Sequence, residues 1–272
     1  MPTSTAEATL TATEFGWIAA FLFERTGIEL RPGKETMMAG RLDRRLRHHG
    51  LATYAQYIRL LASGDPHETQ LAVDLLTTNE TYFFREPSHF EFLTDLVSDG
   101  TLTRSPIRVW SAASSSGEEG YSIALTLAGS LAGQRWEVVG TDISSRVVAT
   151  ASRGLYPVEA ASKIPTSLLQ RFCLKGRDEF EGYLTIEPAV RRRVRFVEAN
   201  LMQPLPQLGT FDVIFLRNVM IYFGTDTKRE LVQRVKEMLN PGGHLLISHS
   251  ETLKDLDPGL DMVRPSIYRK AG

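Results

Sequence analysis

Two adjacent carboxylates, Glu118 and Glu119, close the loop in VWSAASSSGEEGYSIAL (residues 109–125). An apolar strand-like run gives way there to small and hydroxylated residues, and a helical apolar pattern follows. Small-residue loops between a strand and a helix commonly cradle an anion on backbone N–H groups. Two acids at the exit repel one. Gly117 is the only glycine ahead of the acids, so the G-x-G-x-x-G dinucleotide fingerprint fails, and no Gly-Lys-Ser/Thr follows to make a phosphate loop. The chemistry that fits is recognition of a phosphate-free ligand with a cationic end.

Asp142 ends the next strand-like run, WEVVGTDIS (136–144), about one βαβ step later. An acid at that place takes up ribose hydroxyls, or else caps the helix that follows. The acidic loop beside it favours the ribose reading. A ribose joined to a cationic, phosphate-free tail describes S-adenosylmethionine. Asn200 and Leu201, in EANL (198–201), offer an amide and a backbone stretch of the kind that bonds an adenine edge; alone, Asn200 would be read as a turn former.

These residues must be carried by a particular order of elements. Residues 1–86 read as a helical domain. Its first helix ends a short lead-in near Thr13 and stops at Gly27, with Phe15, Ile18, Ala19, Leu22 and Phe23 at helical spacing. Helices are also predicted over 35–49, 51–64 and 67–79, and another after Pro87. From residue 106 strands and helices alternate, which specifies an α/β domain over 87–272 built on a doubly wound, mostly parallel sheet. The strands predicted are 107–112, 136–144, 193–201, 210–218 and 244–251, with 265–270 as an antiparallel edge. The helix TDTKRELVQRVKEML is expected to stop at Pro-Gly-Gly. Residues 171–192 break the alternation and read as a small β insertion.

Composition narrows the class further. The chain has 272 residues, 42% hydrophobic and 23% charged, enough for one large core or two smaller ones. With 31 basic against 32 acidic residues the net charge is −1, which argues against a nucleic-acid partner and leaves charged partners to local clusters. One cysteine, Cys173, excludes an intramolecular disulfide and points to a reducing, cytoplasmic home, where it serves as a small hydrophobe. No apolar run approaches the roughly 18 residues of a membrane span, and no secretory leader is evident.

Taken together, TTNETYFFRE (77–86), VWSAASSSGEEGYSIA (109–124), TDIS (141–144), EANL (198–201), FLRNVMIYF (215–223) and SHSE (248–251) resemble the CheR family, the chemotaxis receptor glutamate methyltransferases. The segments occur in the family's order, and the helical first domain and β insertion correspond too, so the resemblance covers nearly the whole chain. It implies a class I, Rossmann-like fold that moves a methyl group from S-adenosylmethionine to receptor glutamates, leaving S-adenosylhomocysteine and needing no metal. It implies cofactor contacts from Asn79, Thr81, Arg85, Glu119, Asp142, Asn200, Leu201, Arg217 and Asn218, with Arg85 and Tyr222 at the reacting centre. Two departures stand out: Gly120 where a proline is common after the acids, and Tyr82 where a small residue often precedes Phe83. Glu118 is left to favour the helix N-terminus through its dipole.

A glutamate carboxylate is already ionised at pH 7, so such a reaction needs orientation and a dry site in place of a general base. Arg85 suits the orienting role, against a bland alternative of pairing with Glu86 or a helix end; for Tyr222 the alternative is a core aromatic. On helix 35–49, Arg41, Arg44, Arg45 and His48 form a basic stripe opposite Met38, Leu42 and Leu46. An acidic partner helix would match it, and the resemblance makes that partner the methylation helices in the cytoplasmic part of a chemoreceptor, engaged by a monomer; the alternative is a solvated face. The turn around LKGRDEFEG is not the short, glycine-dense turn expected of a peptide docker, so no receptor tether is expected there. Two rivals remain, a methyltransferase acting on nucleic acid or another protein, and a non-catalytic module that retains the cofactor. The first lacks the Asn/Asp-Pro-Pro-aromatic signature, and the second is disfavoured by the presence of both Arg85 and Tyr222.

Overall fold

The computed structural model describes residues 8–131, 133–256 and 258–272, so most of the expected lead-in, residues 1–7, lies outside the described residues. They divide into two compact units. One runs to Thr78 and includes Tyr222–Gly224; the other comprises Asn79–Ile221 and Thr225–Gly272. Residues 79–86, placed by sequence with the helices, group with the sheet. Among the described residues no helix is long and apolar enough to cross a membrane.

The helical unit holds α1 (Ala12–Thr26), α2 (Glu35–His48), α3 (Tyr54–Ala62) and α4 (Pro66–Leu76). Thr11, two residues before the expected cap, closes α1 in a reciprocal capping box with Glu14, and Gly27 ends the helix in the left-handed region at φ 72°. Thr53 caps α3 in the same way with Gln56, while Asp65 and a first-turn proline open α4. Phe15, Ile18, Leu22, Met38, Leu42, Tyr57, Leu61 and Leu76 form the core. A buried carboxylate sits in this unit. Glu68 accepts from Arg45 Nε at 2.9 Å, the Tyr57 hydroxyl at 2.7 Å and His49 Nε2 at 2.9 Å, and pairs with the second Arg45 nitrogen.

The second unit is built on a seven-stranded sheet of order β6-β2-β1-β7-β8-β10-β9. Its strands are β1 (Ile107–Ser111), β2 (Trp136–Asp142), β6 (Val194–Glu198), β7 (Phe211–Leu216), β8 (Leu239–Ile247), β9 (Asp261–Arg264) and β10 (Ile267–Arg269). The first five pair in parallel; β7, covered on both faces, is buried throughout, as its unbroken apolar run requires. α5 (Ser88–Ser98), α6 (Glu118–Ser130), α7 (Ser145–Arg153) and α10 (Thr225–Glu237) complete the alternation. The chain leaves β1 towards β2 and β6, then returns to β7 on the other side of β1. The order therefore reverses between β1 and β7, and ligands of such sheets lie beyond the carboxyl ends there.

Three expectations are corrected. β10 is antiparallel to β8 but is not the edge, because β9 adds outside it. Pro241-Gly242-Gly243 lies within β8, where the pairing with β7 shifts register, while α10 has already ended at Glu237. The β insertion starts at Leu155, not residue 171. Its sheet has the order β3-β5-β4, from β3 (Leu155–Pro157), β4 (Cys173–Lys175) and β5 (Tyr183–Ile186), and α8 (Thr166–Phe172) precedes β4. Three-residue strands are too short to show period-two alternation in a sequence. α9 (Pro188–Arg191) leads back to β6.

Burial pushes the Glu68 carboxyl up, but hydrogen bonds from Arg45, His49 and Tyr57 outweigh it and hold it at about 2. A carboxyl held below its unfolded value of 4.5 stabilises the fold above that pH, and the stabilisation is lost as pH falls from there through about 2. Glu68→Ala is expected to cost about 3–5 kcal/mol by stranding Arg45, and to flatten the acid limb of the stability profile, as read by urea unfolding at pH 7 and pH 3.

Candidate functional site

The loop between β1 and α6 is tied down by its own backbone. Ser114 N–H donates to the Thr141 carbonyl at 2.8 Å, and Gly117 N–H to the Ser114 carbonyl at 3.0 Å. Ser115, at φ 48°, donates its N–H to Asp142 Oδ2 at 2.8 Å and its hydroxyl to the Asn79 carbonyl at 2.8 Å. Three loop N–H groups are thus spent internally, which leaves fewer of its amides for an anion. Gly117, at φ 98°, begins the turn into α6. A Cβ there would sit 2.7 Å from both Ala151 Cβ and the Tyr156 hydroxyl, so only glycine fits.

Asp142 lies at the end of β2, 8% exposed. Besides Ser115, its Oδ1 accepts from Ser144 N–H at 3.0 Å. Ser144 itself caps α7, through its hydroxyl on Val147 N–H, so capping is not the acid's task. The carboxylate instead joins the loop to the carboxyl end of β2, where a ribose would lie. Asn200 accepts Met202 N–H at 2.9 Å, making the turn after β6, and Leu201 is buried with its carbonyl on the Arg234 guanidinium.

The two loop acids have separate fates. Glu118 turns back to the Ser116 hydroxyl at 2.7 Å, and burial raises its carboxyl. Glu119 accepts the Ser111 hydroxyl at 2.7 Å on one oxygen and Arg217 Nη1 at 2.9 Å on the other. Burial raises its carboxyl too, opposed by the Arg217 charge and these hydrogen bonds. Arg217 also reaches Glu86 Oε2 at 3.1 Å and the Arg85 carbonyl at 2.5 Å, with a side chain only 1% exposed. One buried guanidinium is therefore shared by two carboxylates. Glu119 retains lone pairs for a ligand, but its charge is already committed to Arg217.

The FFRE turn carries backbone strain. Phe84 and Glu86 occupy the left-handed region at φ 54° and 58°, a conformation costly for residues with a Cβ. Phe83 against Tyr156, Phe84 against Phe90, and Phe84 N–H on the Ser122 hydroxyl at 2.9 Å hold it. The Arg85 guanidinium donates to the Glu80 carbonyl at 3.1 Å and lies 5.8 Å from the centre of the exposed Tyr82 ring. It makes no ion pair among the described residues; Glu86 pairs with Arg217 instead. Asn79 and Thr81 are half-buried on the chain leading into this turn.

Beyond Arg217 the chain turns sharply at Asn218, φ 57°. Asn218 N–H reaches Glu251 Oε2 at 3.2 Å, and its side-chain amide donates to the Ser248 hydroxyl at 2.8 Å. Glu251 also takes Ser248 N–H at 2.9 Å and is raised chiefly by burial. Glu86, Ser248 and Glu251 join this network although nothing in the sequence assigns them a place in the site. Apart from the Ser248–Glu251 contact, their partners are remote in sequence, and no spacing points to them. Tyr222 groups with the helical unit, where its carbonyl accepts Glu29 N–H at 2.9 Å. Arg85 and Tyr222 are therefore not brought together within either unit.

The basic stripe on α2 is divided. Arg41 donates to the Leu76 and Thr77 carbonyls at 2.8 and 3.1 Å, satisfying the end of α4, and Arg45 is consumed by Glu68. Arg44 and His48 are exposed, as is Arg47, which the stripe omitted.

The donor set fits a ribose-bearing cation. A carboxylate stands at the carboxyl end of β2, two acids close the loop, and three of the loop amides are engaged by neighbouring backbone and by Asp142. The family model described as CheR methyltransferase, all-alpha domain, matches residues 13–77, and the one described as CheR methyltransferase, SAM binding domain, matches residues 79–268. The chain is 37% identical over 281 residues to chemotaxis protein methyltransferase 2 of Pseudomonas aeruginosa, covering all of both. It is 38% identical to the chemotaxis protein methyltransferase of Escherichia coli, over 97% of this chain and 93% of the relative. A Vibrio cholerae relative, also named chemotaxis protein methyltransferase 2, is 34% identical over 91% of this chain and 88% of its own.

The two loop acids should respond differently to truncation. Glu119→Ala is expected to destabilise the sheet unit by about 3–5 kcal/mol, because it breaks a buried pair with Arg217. Glu118→Ala, which loses one local hydroxyl contact, should stay within about 1 kcal/mol. Equal losses in urea unfolding would refute the distinction.

Proposed function

The chain belongs to the CheR methyltransferase family, and from that premise we propose that it methylates glutamate side chains in the cytoplasmic methylation helices of chemoreceptors. The products are glutamate methyl esters, and the setting is sensory adaptation. The observation that carries the reading is Arg85. Its backbone is pinned by Arg217 and its guanidinium makes no ion pair among the described residues. A planar fork held in this way is suited to taking a carboxylate with paired hydrogen bonds.

S-adenosylmethionine, when bound, supplies an electrophilic methyl carbon that a carboxylate oxygen takes as the carbon–sulfur bond breaks, leaving S-adenosylhomocysteine. On this reading Asp142 holds the ribose hydroxyls, Asn200 and Leu201 the adenine edge, and Glu119 the amino-acid tail. Asn79, Thr81 and Asn218 complete the enclosure, with Arg217 fixing Glu119. The substrate glutamate arrives ionised, with a carboxyl near pH 4.3 in an unperturbed setting, so no residue of the chain has to remove a proton. Arg85 orients the carboxylate and offsets the cost of desolvating it. Tyr222 contributes one hydrogen-bond donor. Rate enhancement then comes from alignment in a dry site.

Receptor recognition is assigned to the exposed part of the α2 stripe, Arg44 and His48, while Arg41 and Arg45 act by holding the helical unit together. Complementary charge of this kind steers a basic helix to an acidic one. The work is that of a monomer in the cytoplasm, and no metal takes part in the transfer.

Incubation with methyl-labelled S-adenosylmethionine and chemoreceptor-containing membranes should place label on the receptor in a form released by mild base, the signature of an ester. Label that resists base would overturn the glutamate assignment. Arg85→Ala is expected to lose at least about 100-fold in turnover while remaining folded, as misaligned reactants do. Asp142→Ala should weaken cofactor binding, measured by calorimetry, by about tenfold or more, the loss of a charge-assisted hydrogen-bond pair.

A further inference from the structure

The Arg217 network shares Glu86 with a further group of side chains, in which His89 and His249 have no part in methyl transfer. Glu86, His89 and His249 each bring one potential ligand atom to within 4.8 Å of the others. His89, on the first turn of α5, is 1% exposed. Its Nε2 lies 2.9 Å from the Ser266 hydroxyl, and that hydroxyl donates its only proton to the Pro265 carbonyl at 2.6 Å. Ser266 is therefore the acceptor, and the hydrogen-bond network assigns the imidazole proton to Nε2. Nδ1 is left with a lone pair, fully buried and without a hydrogen-bond partner. It lies 3.4 Å from Glu86 Oε2. Two electron-rich atoms face one another, and what complements such a pair is a cation.

The geometry suits a metal ion. Ligands about 2.1 Å from a tetrahedral ion stand about 3.4 Å apart, which matches the His89–Glu86 separation. His249 donates its backbone N–H to Glu86 Oε2 at 3.2 Å, and its ring lies edge-on to His89 with centroids 4.8 Å apart. It is exposed, and its Nε2 lies 3.2 Å from the Ser88 hydroxyl, a contact the ring would give up in turning the last distance. The bond from Nε2–H of His89 to Ser266 is the kind of outer contact that orients a ligating imidazole. Arg217, 3.1 Å from the same Glu86 oxygen, opposes a second cation, but it is shared with Glu119, so two carboxylates face one guanidinium.

We propose that Glu86, His89 and His249 bind a divalent transition-metal ion of the zinc class, with water in the fourth position. Two imidazoles and one carboxylate select zinc, cobalt or nickel over magnesium or calcium, which prefer all-oxygen sites. The opposing Arg217 makes the site a modest one, responsive to metal concentration. Occupancy draws Glu86 away from Arg217, so the ion acts on the positioning network and not on the transferred group.

Cobalt(II) titrated into the full chain is the test, followed by visible absorption, with zinc as competitor. One equivalent should give the intense bands of tetrahedral cobalt, and zinc should abolish them. His249→Ala, at an exposed position where folding is preserved and checked by circular dichroism, should weaken cobalt binding at least about tenfold. Substitution of His48, His49 and His67 by alanine should leave it unchanged. Absence of saturable cobalt binding, or wild-type binding by His249→Ala, would overturn the proposal. So would nitrogen chemical shifts showing a proton on His89 Nδ1.

Discussion

The Arg217 guanidinium is the contact on which the second unit's functional end depends. It leaves the carboxyl end of β7, where the sheet reverses its order, and reaches Glu119 at the start of α6 and Glu86 in the FFRE turn. A buried cation needs partners, and here two carboxylates and the Arg85 carbonyl take its two terminal nitrogens, while its buried Nε–H has no hydrogen-bond partner among the described residues. Removing any member would strand the others in a low-dielectric setting. The strain in the left-handed residues Phe84 and Glu86 is held by the same set of contacts, together with the anchoring of Phe83 and Phe84. Orientation of Arg85 is thus a product of a neighbour's electrostatics.

The loop after β1 shows a related economy. Small residues there do not serve an anion. They let Ser114 and Ser115 fold their own amides onto β2 and Asp142, and Gly117 lets α7 and Tyr156 approach closely. Three of its amides and the Ser115 hydroxyl are tied down in this way. On the proposed reading, a reaction that depends on alignment places its demands on such anchoring.

The helical unit repeats the pattern with a different charge. Glu68 is a buried anion satisfied by Arg45, Tyr57 and His49, and it draws a residue of the basic stripe into the interior. Arg41 is taken by the end of α4. What remains exposed on α2 is a smaller and shifted positive patch, so charge counted along a helix overstates the charge a partner would meet.

Much was legible in the residues themselves. The alternation of strand and helix, the parallel sheet, the helical first unit and the carboxyl-end placement of Asp142 and Asn200 follow from local pattern, because periodicity and strand order are local properties repeated many times. The family resemblance, carried by segments such as FFRE and RNVMIYF, likewise lies in residue identities. Tertiary structure alone decided which partners the charges took. That Glu119 and Glu86 share Arg217, that Arg85 is left unpaired by them, that Arg45 turns inward and that His89 faces Glu86 all depend on contacts between residues far apart in sequence. Such pairings have no period and no spacing, and they are set by where burial leaves a charge no alternative but its neighbour.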